Sequence, residues 1–407
     1  MSIIALSNGL SCLEEALLKE IIEKTKYSYI SEEDIINKVS KKYNVSAKKF
    51  IKALYYAPSI FNEFTHEKQK YLAYIQQYLA ESLTQDELII HGFITHLIPV
   101  EIAHILRVCL VSDISYRKKK LIETRKVNEK EAESVILKND NELNILTKYI
   151  FNKSPWDSSL YDILIPVDKV PLNEAVNLIV ESIEKKLIQL SQESEQAISD
   201  FKLSSQVKLT LIEKGHDVKV VAKNYNINII IDKYTMRLKK LSEELKEIVR
   251  TVEGVQEITI ETGPNFNDAI YRRYSFEEPS KVLVVDDEKD FALTLSKRLQ
   301  LRDVGSAAVF SGEDALSIIE EEMPEVLILD LKMGGIDGME VLRSIKTKYP
   351  NIEVIMLTGH SSEAVKEEAK TLGAFEFFEK SAKIDNILGA VKKAYVKIRK
   401  NKLEEEA

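Results

Sequence analysis

Two apolar runs end in acids: Val282-Leu283-Val284-Val285 leads into Asp286 and Asp287, and Val326-Leu327-Ile328-Leu329 into Asp330. Continuous Val/Ile/Leu runs fit strands buried on both faces of a parallel sheet, where ligands gather at the carboxyl ends near the reversal of strand order. The three carboxylates therefore converge on one sheet edge. Val354-Ile355-Met356-Leu357 ends in Thr358, and Phe375-Glu376-Phe377-Phe378 leads through Glu379 to Lys380, which brings a hydroxyl and an ammonium to the same edge. Taken singly, an Asp after an apolar run is most often a turn or cap residue. The joint order points to a metal and phosphate site. Mg2+ prefers oxygen ligands, keeps several waters and needs only one or two carboxylates. Phosphoryl transfer is largely positioning plus charge neutralisation, which a metal, a lysine and a hydroxyl supply together, with a carboxylate held in line as nucleophile.

On these residues, with Met333, Asp337-Gly338, Leu357-Thr358-Gly359 and Gly373-Ala374 added, residues 280–400 resemble the receiver domain of two-component response regulators. The resemblance implies a flavodoxin-like sheet of five parallel strands. It makes Asp330 the phosphoacceptor and places Mg2+ on Asp286, Asp287, Asp330 and the Lys332 carbonyl. Thr358 and Lys380 would hold phosphoryl oxygens, and Thr358 with Phe377 would form the switch. The implied donor is a sensor histidine kinase or phosphotransfer protein. Two prolines of the family pattern are missing: Met333 precedes Gly334, and Lys380 precedes Ser381, so the loop geometry after Lys380 is open.

A chain of 407 residues exceeds one typical core and suggests several domains. The net charge of −8 gives no basic footprint, so nucleic-acid binding is not expected. Cys12 and Cys109 support neither a disulfide framework nor a structural zinc site. The longest apolar region, around residues 97–111, is interrupted by Glu101, His104 and Arg107, so no membrane span or signal peptide is expected and the chain reads as cytoplasmic.

Residues 1–182 read as α/β with many helices. Ile3-Ile4-Ala5-Leu6 suggests a first strand, Ser7-Asn8-Gly9-Leu10-Ser11 a loop, and Cys12 to Thr25 a helix; Leu88-Ile89-Ile90 and Ile105 to Val111 suggest further strands. A strand, a glycine loop and a helix can cradle phosphate, because the helix amino end offers free N–H groups. This loop has one glycine and no lysine, so an ordinary turn explains its spacing as well. Through Glu131-Ala132, Asp140, Trp156-Asp157, Tyr161-Asp162 and Glu174-Ala175-Val176, the segment resembles the cytidylate-kinase-like family of P-loop kinase relatives. That resemblance makes Ser7, Gly9 and Arg117 the candidate nucleotide-binding residues. The family's phosphate-handling motifs are eroded to His91-Gly92-Phe93 and Asp140-Asn141-Glu142-Leu143. Loss of one charge-stabilising donor typically costs about a hundredfold in rate. A pseudokinase-like module is therefore expected, with nucleotide binding left open. His91 and His96 lack a third partner for metal binding.

A connecting helix is expected over 183–200, continuing from about Ala175. Residues 201–262 then read as helix, strand, turn at Lys223-Asn224, strand, helix and strand, resembling the small BON domain through Val252-Glu253-Gly254-Val255-Gln256-Glu257-Ile258-Thr259-Ile260. Residues 263–279 have linker composition, with Arg272-Arg273 expected to be simply exposed, and 401–407 form an acidic tail. The whole implies a multidomain response regulator relaying a signal through non-DNA-binding modules to an unidentified output partner, with homodimerisation left open. A phosphorylation-regulated nucleoside monophosphate kinase is the alternative.

Overall fold

The computed structural model describes residues 2–12, 15–85, 87–184, 190–266, 269–274, 278–359 and 362–405. The chain divides into two compact units, Met1–Ala57 with Lys68–Tyr271, and Pro58–Glu67 with Arg272–Ala407.

In the first unit, strands β1 (Ile3–Asn8), β2 (Ser28–Ser31), β3 (Leu88–His91), β4 (Ile105–Val111) and β5 (Ile163–Pro166) form a parallel sheet in the order β2-β3-β1-β4-β5. Alternate residues of each strand serve opposite cores, as a period of two requires. Ile3, Ala5, Leu88, Ile90 and Ile105 join one cluster with helices Glu32–Tyr43, Ala47–Tyr55 and Glu129–Phe151. Ile4, Leu6, Ile89, Val108 and Leu110 join the other with helices Glu15–Thr25 and Leu172–Ile183. Helix Glu32–Tyr43 starts at a capping box, in which the Ser31 side chain accepts from the Asp34 N–H and the Asp34 side chain accepts from the Ser31 N–H.

The same unit carries a three-stranded sheet, β6 (Lys219–Lys223), β7 (Asn226–Ile231) and β8 (Ile258–Thr262), with β6–β7 antiparallel and β7–β8 parallel. Ile227, Ile229 and Ile231 pack against helices Gln192–Glu213 and Leu238–Val249. The hairpin turn is Asn224-Tyr225, one residue later than expected, with φ of 50° and 63°. Both its N–H groups donate to the Asp200 carboxylate, at 2.8 and 3.0 Å. The helix expected from Ala175 through Asp200 is two helices, ending at Ile183 and restarting under an N-cap from Ser191, whose side chain accepts from the Ser194 N–H. Part of the expected connecting helix, 185–189, lies outside the described residues.

In the second unit, β9 (Val282–Val285), β10 (Ser306–Val309), β11 (Val326–Asp330), β12 (Glu353–Thr358) and β13 (Glu376–Glu379) are all parallel, in the order β10-β9-β11-β12-β13. This is the flavodoxin-like order. Val282, Val284, Val326 and Ile328 face the core under helices Lys289–Gln300 and Ile384–Glu405. Leu283, Val285, Leu327 and Leu329 face the core under helices Gly312–Glu322, Gly338–Lys348 and Glu363–Thr371. The inner strands β9, β11 and β12 are buried along their whole length, whereas the edge strands β10 and β13 are only partly covered. The last helix runs through the expected tail to Glu405, and Glu406 and Ala407 lie outside the described residues. No described helix is long and apolar enough to cross a membrane.

Candidate functional site

Register builds the acidic site. Val285 pairs with Leu329, so Asp286, just past β9, and Asp330, the last residue of β11, stand side by side at the carboxyl ends of two neighbouring inner strands. Oxygens of Asp286, Asp287 and Asp330 lie within 4.8 Å of one another. Asp286 and Asp330 are buried, while Asp287 is exposed and accepts from the Gly334 N–H at 3.1 Å. That bond ties the loop after the second acid to the first pair. The loop is closed further by Gly338, where a Cβ would lie 2.1 Å from the Asp330 carbonyl oxygen, so only glycine fits the turn into the following helix. Asp337 caps that helix by accepting from the Glu340 N–H at 2.9 Å.

Lys380 leans into the cluster from the end of β13. Its Nζ lies 2.8 Å from Asp286 Oδ2, 3.0 Å from Asp330 Oδ2 and 2.7 Å from Glu288 Oε1. The Glu288 contact was not anticipated from sequence, although its place directly after the acid pair was visible. Burial raises the Asp330 carboxyl above its ordinary range, and hydrogen bonding and attraction from Lys380 only partly offset this. Burial likewise raises Asp286, opposed by Lys380 and reinforced by the Asp330 charge. Burial would lower the Lys380 ammonium, but hydrogen bonds to Asp286, Glu288 and Asp330 outweigh it and hold the pKa above the ordinary lysine value.

Thr358, buried at the end of β12, accepts the Lys380 N–H on its carbonyl at 2.7 Å, so the hydroxyl-bearing and ammonium-bearing residues are locked to one another through backbone. Phe377 pairs with Met356 across β12 and β13, is half-buried, and has Lys366 Nζ 5.9 Å from its ring centroid. Lys332 is exposed in the loop after Asp330. Among the described residues there is no cis peptide, so the chain passes Lys380-Ser381 in the trans form.

The donor set fits a hard divalent cation: three carboxylates share one edge, and Asp330 Oδ1 is buried without a hydrogen-bond partner of good geometry. Because protons compete for the raised carboxylates, Mg2+ affinity is expected to fall as pH drops towards and through them. This loss should begin above the ordinary aspartate value of about 3.9. Mg2+ titrations followed by Trp156-independent near-ultraviolet or NMR signals of the acid site, at neutral and acid pH, check it.

Residues 282–392 match the response regulator receiver domain, and residues 3–169 match the cytidylate kinase-like family. Sporulation initiation phosphotransferase F of Bacillus subtilis (strain 168) is 35% identical over 121 residues, covering 30% of this chain and 97% of that relative. The chain belongs to the response regulator receiver family. Similar solved structures cover the same receiver: that of the Francisella response regulator 1452 (27% identity, 29% of this chain, 97% of that chain, TM-score 0.28) and that of NtrX from Brucella abortus (30% identity, 28% and 97%, TM-score 0.27).

The kinase-like residues sit differently from the receiver set. The Ser7 hydroxyl is buried, 3.3 Å from the Thr95 hydroxyl. A Cβ on Gly9 would lie 3.3 Å from the Trp156 ring and 3.5 Å from the Arg117 guanidinium carbon, so the loop is covered by the protein's own side chains. Arg117 is buried, forms a bidentate pair with Asp140 at 2.9 and 2.7 Å, and donates from Nε to the Leu10 carbonyl at 3.0 Å. Its fork is thereby committed to the fold.

His91 bonds Asn8 and Tyr29, and His96 bonds the Phe93 carbonyl and Tyr161, with burial pushing His96 down to about 4. A cavity of about 450 Å³ opens at the carboxyl ends of β1, β2 and β3, lined by Asn8, Tyr29, Glu32, Glu33, His91 and Glu142 among others. Among the described residues, no lysine or arginine lines it. Burial raises the Glu32 carboxyl, which accepts from the Tyr55 hydroxyl and from the Ile94 N–H.

Proposed function

We propose that this response regulator accepts a phosphoryl group on Asp330 from a sensor histidine kinase or phosphotransfer protein and relays the signal through its amino-terminal modules. The observation that carries this reading is the Lys380 ammonium held within 3.0 Å of Asp286 and Asp330 at the edge of the parallel sheet. Asp286, Asp287, Asp330 and the Lys332 carbonyl would hold Mg2+, which when bound supplies charge neutralisation. The Asp330 carboxylate attacks the donor phosphorus as the donor group leaves; Lys380 and Thr358 then hold the phosphoryl oxygens, and Phe377 follows Thr358 as the switch. Full-length protein incubated with acetyl phosphate should gain one phosphoryl group only when Mg2+ is present. No gain under either condition contradicts the proposal.

The kinase-like half is read as a pseudokinase. Its acidic cavity repels phosphates, and the one arginine retained from the family pattern is already spent on Asp140. The chain is expected to show no turnover of CMP with ATP, whether or not it is phosphorylated. Turnover in a coupled assay would favour the regulated nucleoside monophosphate kinase instead. The order helix, strand, strand, helix, strand over 192–262 supports a small BON-like assembly module between the two. Two buried free thiols, Cys12 and Cys109, suit a reducing cytoplasm.

A further inference from the structure

The receiver unit contains a segment from far upstream. The chain leaves the first unit after Ala57 and re-enters it at Lys68, and Pro58–Glu67 between them belongs to the receiver unit. Phe61 is fully buried and shares one apolar cluster with Leu283, Ile319, Leu327 and Val354. Asn62–Thr65 forms a single helical turn, ended by His66 at φ 50°.

Close packing fixes where the segment lies. A Cβ on Gly305 would fall 2.7 Å from Phe64 Cβ and 2.4 Å from the Ser280 carbonyl oxygen, so glycine is needed where the segment meets the chain just before β10. Arg272 reaches Glu63 at 3.2 Å, lies 4.9 Å from the Phe64 ring centroid, and donates to the Gln300 carbonyl at 3.3 Å. Lys281, just before β9, reaches Glu67 at 3.0 Å. Arg272, expected to be merely exposed, is thus part of a built contact. Residues 280, 281 and 305 precede β9 and β10, so the segment occupies the amino-terminal edge of the sheet, at the opposite end from Asp330.

Connecting loops are usually polar and solvated. This one buries an aromatic side chain in the receiver unit's own core and surrounds it with complementary charge. The loop is also pinned at its base, where Lys68 Nζ donates to the Tyr56 carbonyl at 2.9 Å. The cluster that holds Phe61 includes Leu331 and Met333, which follow the phosphoacceptor. Continuous packing therefore runs from the acid site to the segment.

We propose that residues 58–67 are a docking tab that completes the receiver core and carries its phosphorylation state to the kinase-like half of the chain. The proposal rests on the receiver reading, and the test separates the two. Hydrogen exchange of the full chain, read by mass spectrometry with and without acetyl phosphate and Mg2+, follows the tab, while intact mass reports phosphoryl gain.

The unmodified protein is expected to protect the peptide spanning 58–67. Phosphorylation should change its exchange by roughly fivefold or more, the lower range of allosteric coupling. Phe61→Ala should speed that exchange by about tenfold, and Phe61→Leu, which keeps an apolar filler, by less than about threefold. A tab that exchanges at free-peptide rates overturns the proposal, as does a chain of increased mass with unchanged tab exchange. No gain in mass removes the receiver reading and the proposal with it.

Discussion

Asp330→Asn is expected to abolish phosphoryl incorporation while making the metal-free receiver more stable at neutral pH. Asparagine has no anionic oxygen to attack phosphorus, so incorporation should fall to background, a loss of at least about a thousandfold. The stability gain follows from burial. Asp330 is 4% exposed, its carboxyl is raised by desolvation, and it faces a second raised acid in Asp286. A group whose folded pKa lies above its unfolded value contributes stability that is fully present below the unfolded pKa and is lost as pH rises through the folded one. At neutral pH the ionised acid is therefore a cost. Removing it should gain on the order of 1 kcal/mol, because Lys380 keeps Asp286 and Glu288 as partners. Urea midpoints in chelator at neutral pH should show the gain, and it should vanish in acid where the wild-type carboxyl is protonated. Wild-type stability unchanged by the substitution at every pH would contradict the account of this acid.

Lys380→Met should act in the opposite direction. Without the ammonium, Asp286 and Asp330 face each other with no cation between them, and their carboxyls move further above the ordinary range. Breaking a fully buried ion pair costs about 3–5 kcal/mol; at this half-open edge roughly 2 kcal/mol is expected at neutral pH. Since the cost belongs to the ionised acids, it should shrink as pH falls and they take up protons. Mg2+ should restore part of it by binding the folded state alone. The rate of phosphoryl uptake should fall by about a hundredfold, the usual consequence of losing one charge-stabilising donor. A variant that is phosphorylated at the wild-type rate would remove Lys380 from the chemistry.

The receiver was legible because its inner strands, β9, β11 and β12, are buried on both faces. Each run is continuous, each ends in the residue that does chemistry, and the period of two then sorts alternate residues into the two cores. The kinase-like half was less legible. Strand β2, Ser28–Ser31, is short and half exposed, so its burial pattern gives little periodic signal. The break between the helices ending at Ile183 and starting at Gln192 is set by a Ser191 cap that resembles any other serine in a polar stretch. Arg117 was readable as a phosphate ligand because the sequence does not show its partner. Asp140 lies on a separate helix, and only the fold brings the two into a bidentate pair. The role of Phe61 was hidden for the same reason, since a phenylalanine in a short loop carries no mark of the distant core that will bury it.

Whether Asp330 carries the phosphoryl group can be read directly from the chain. Full-length protein treated with acetyl phosphate and Mg2+, reduced with borohydride to trap any acyl phosphate, and digested for mass spectrometry locates the modified residue. Modification at position 330 is expected to depend on Mg2+ and to disappear in Asp330→Asn. Modification at another residue, or undiminished incorporation by that variant, would contradict this assignment.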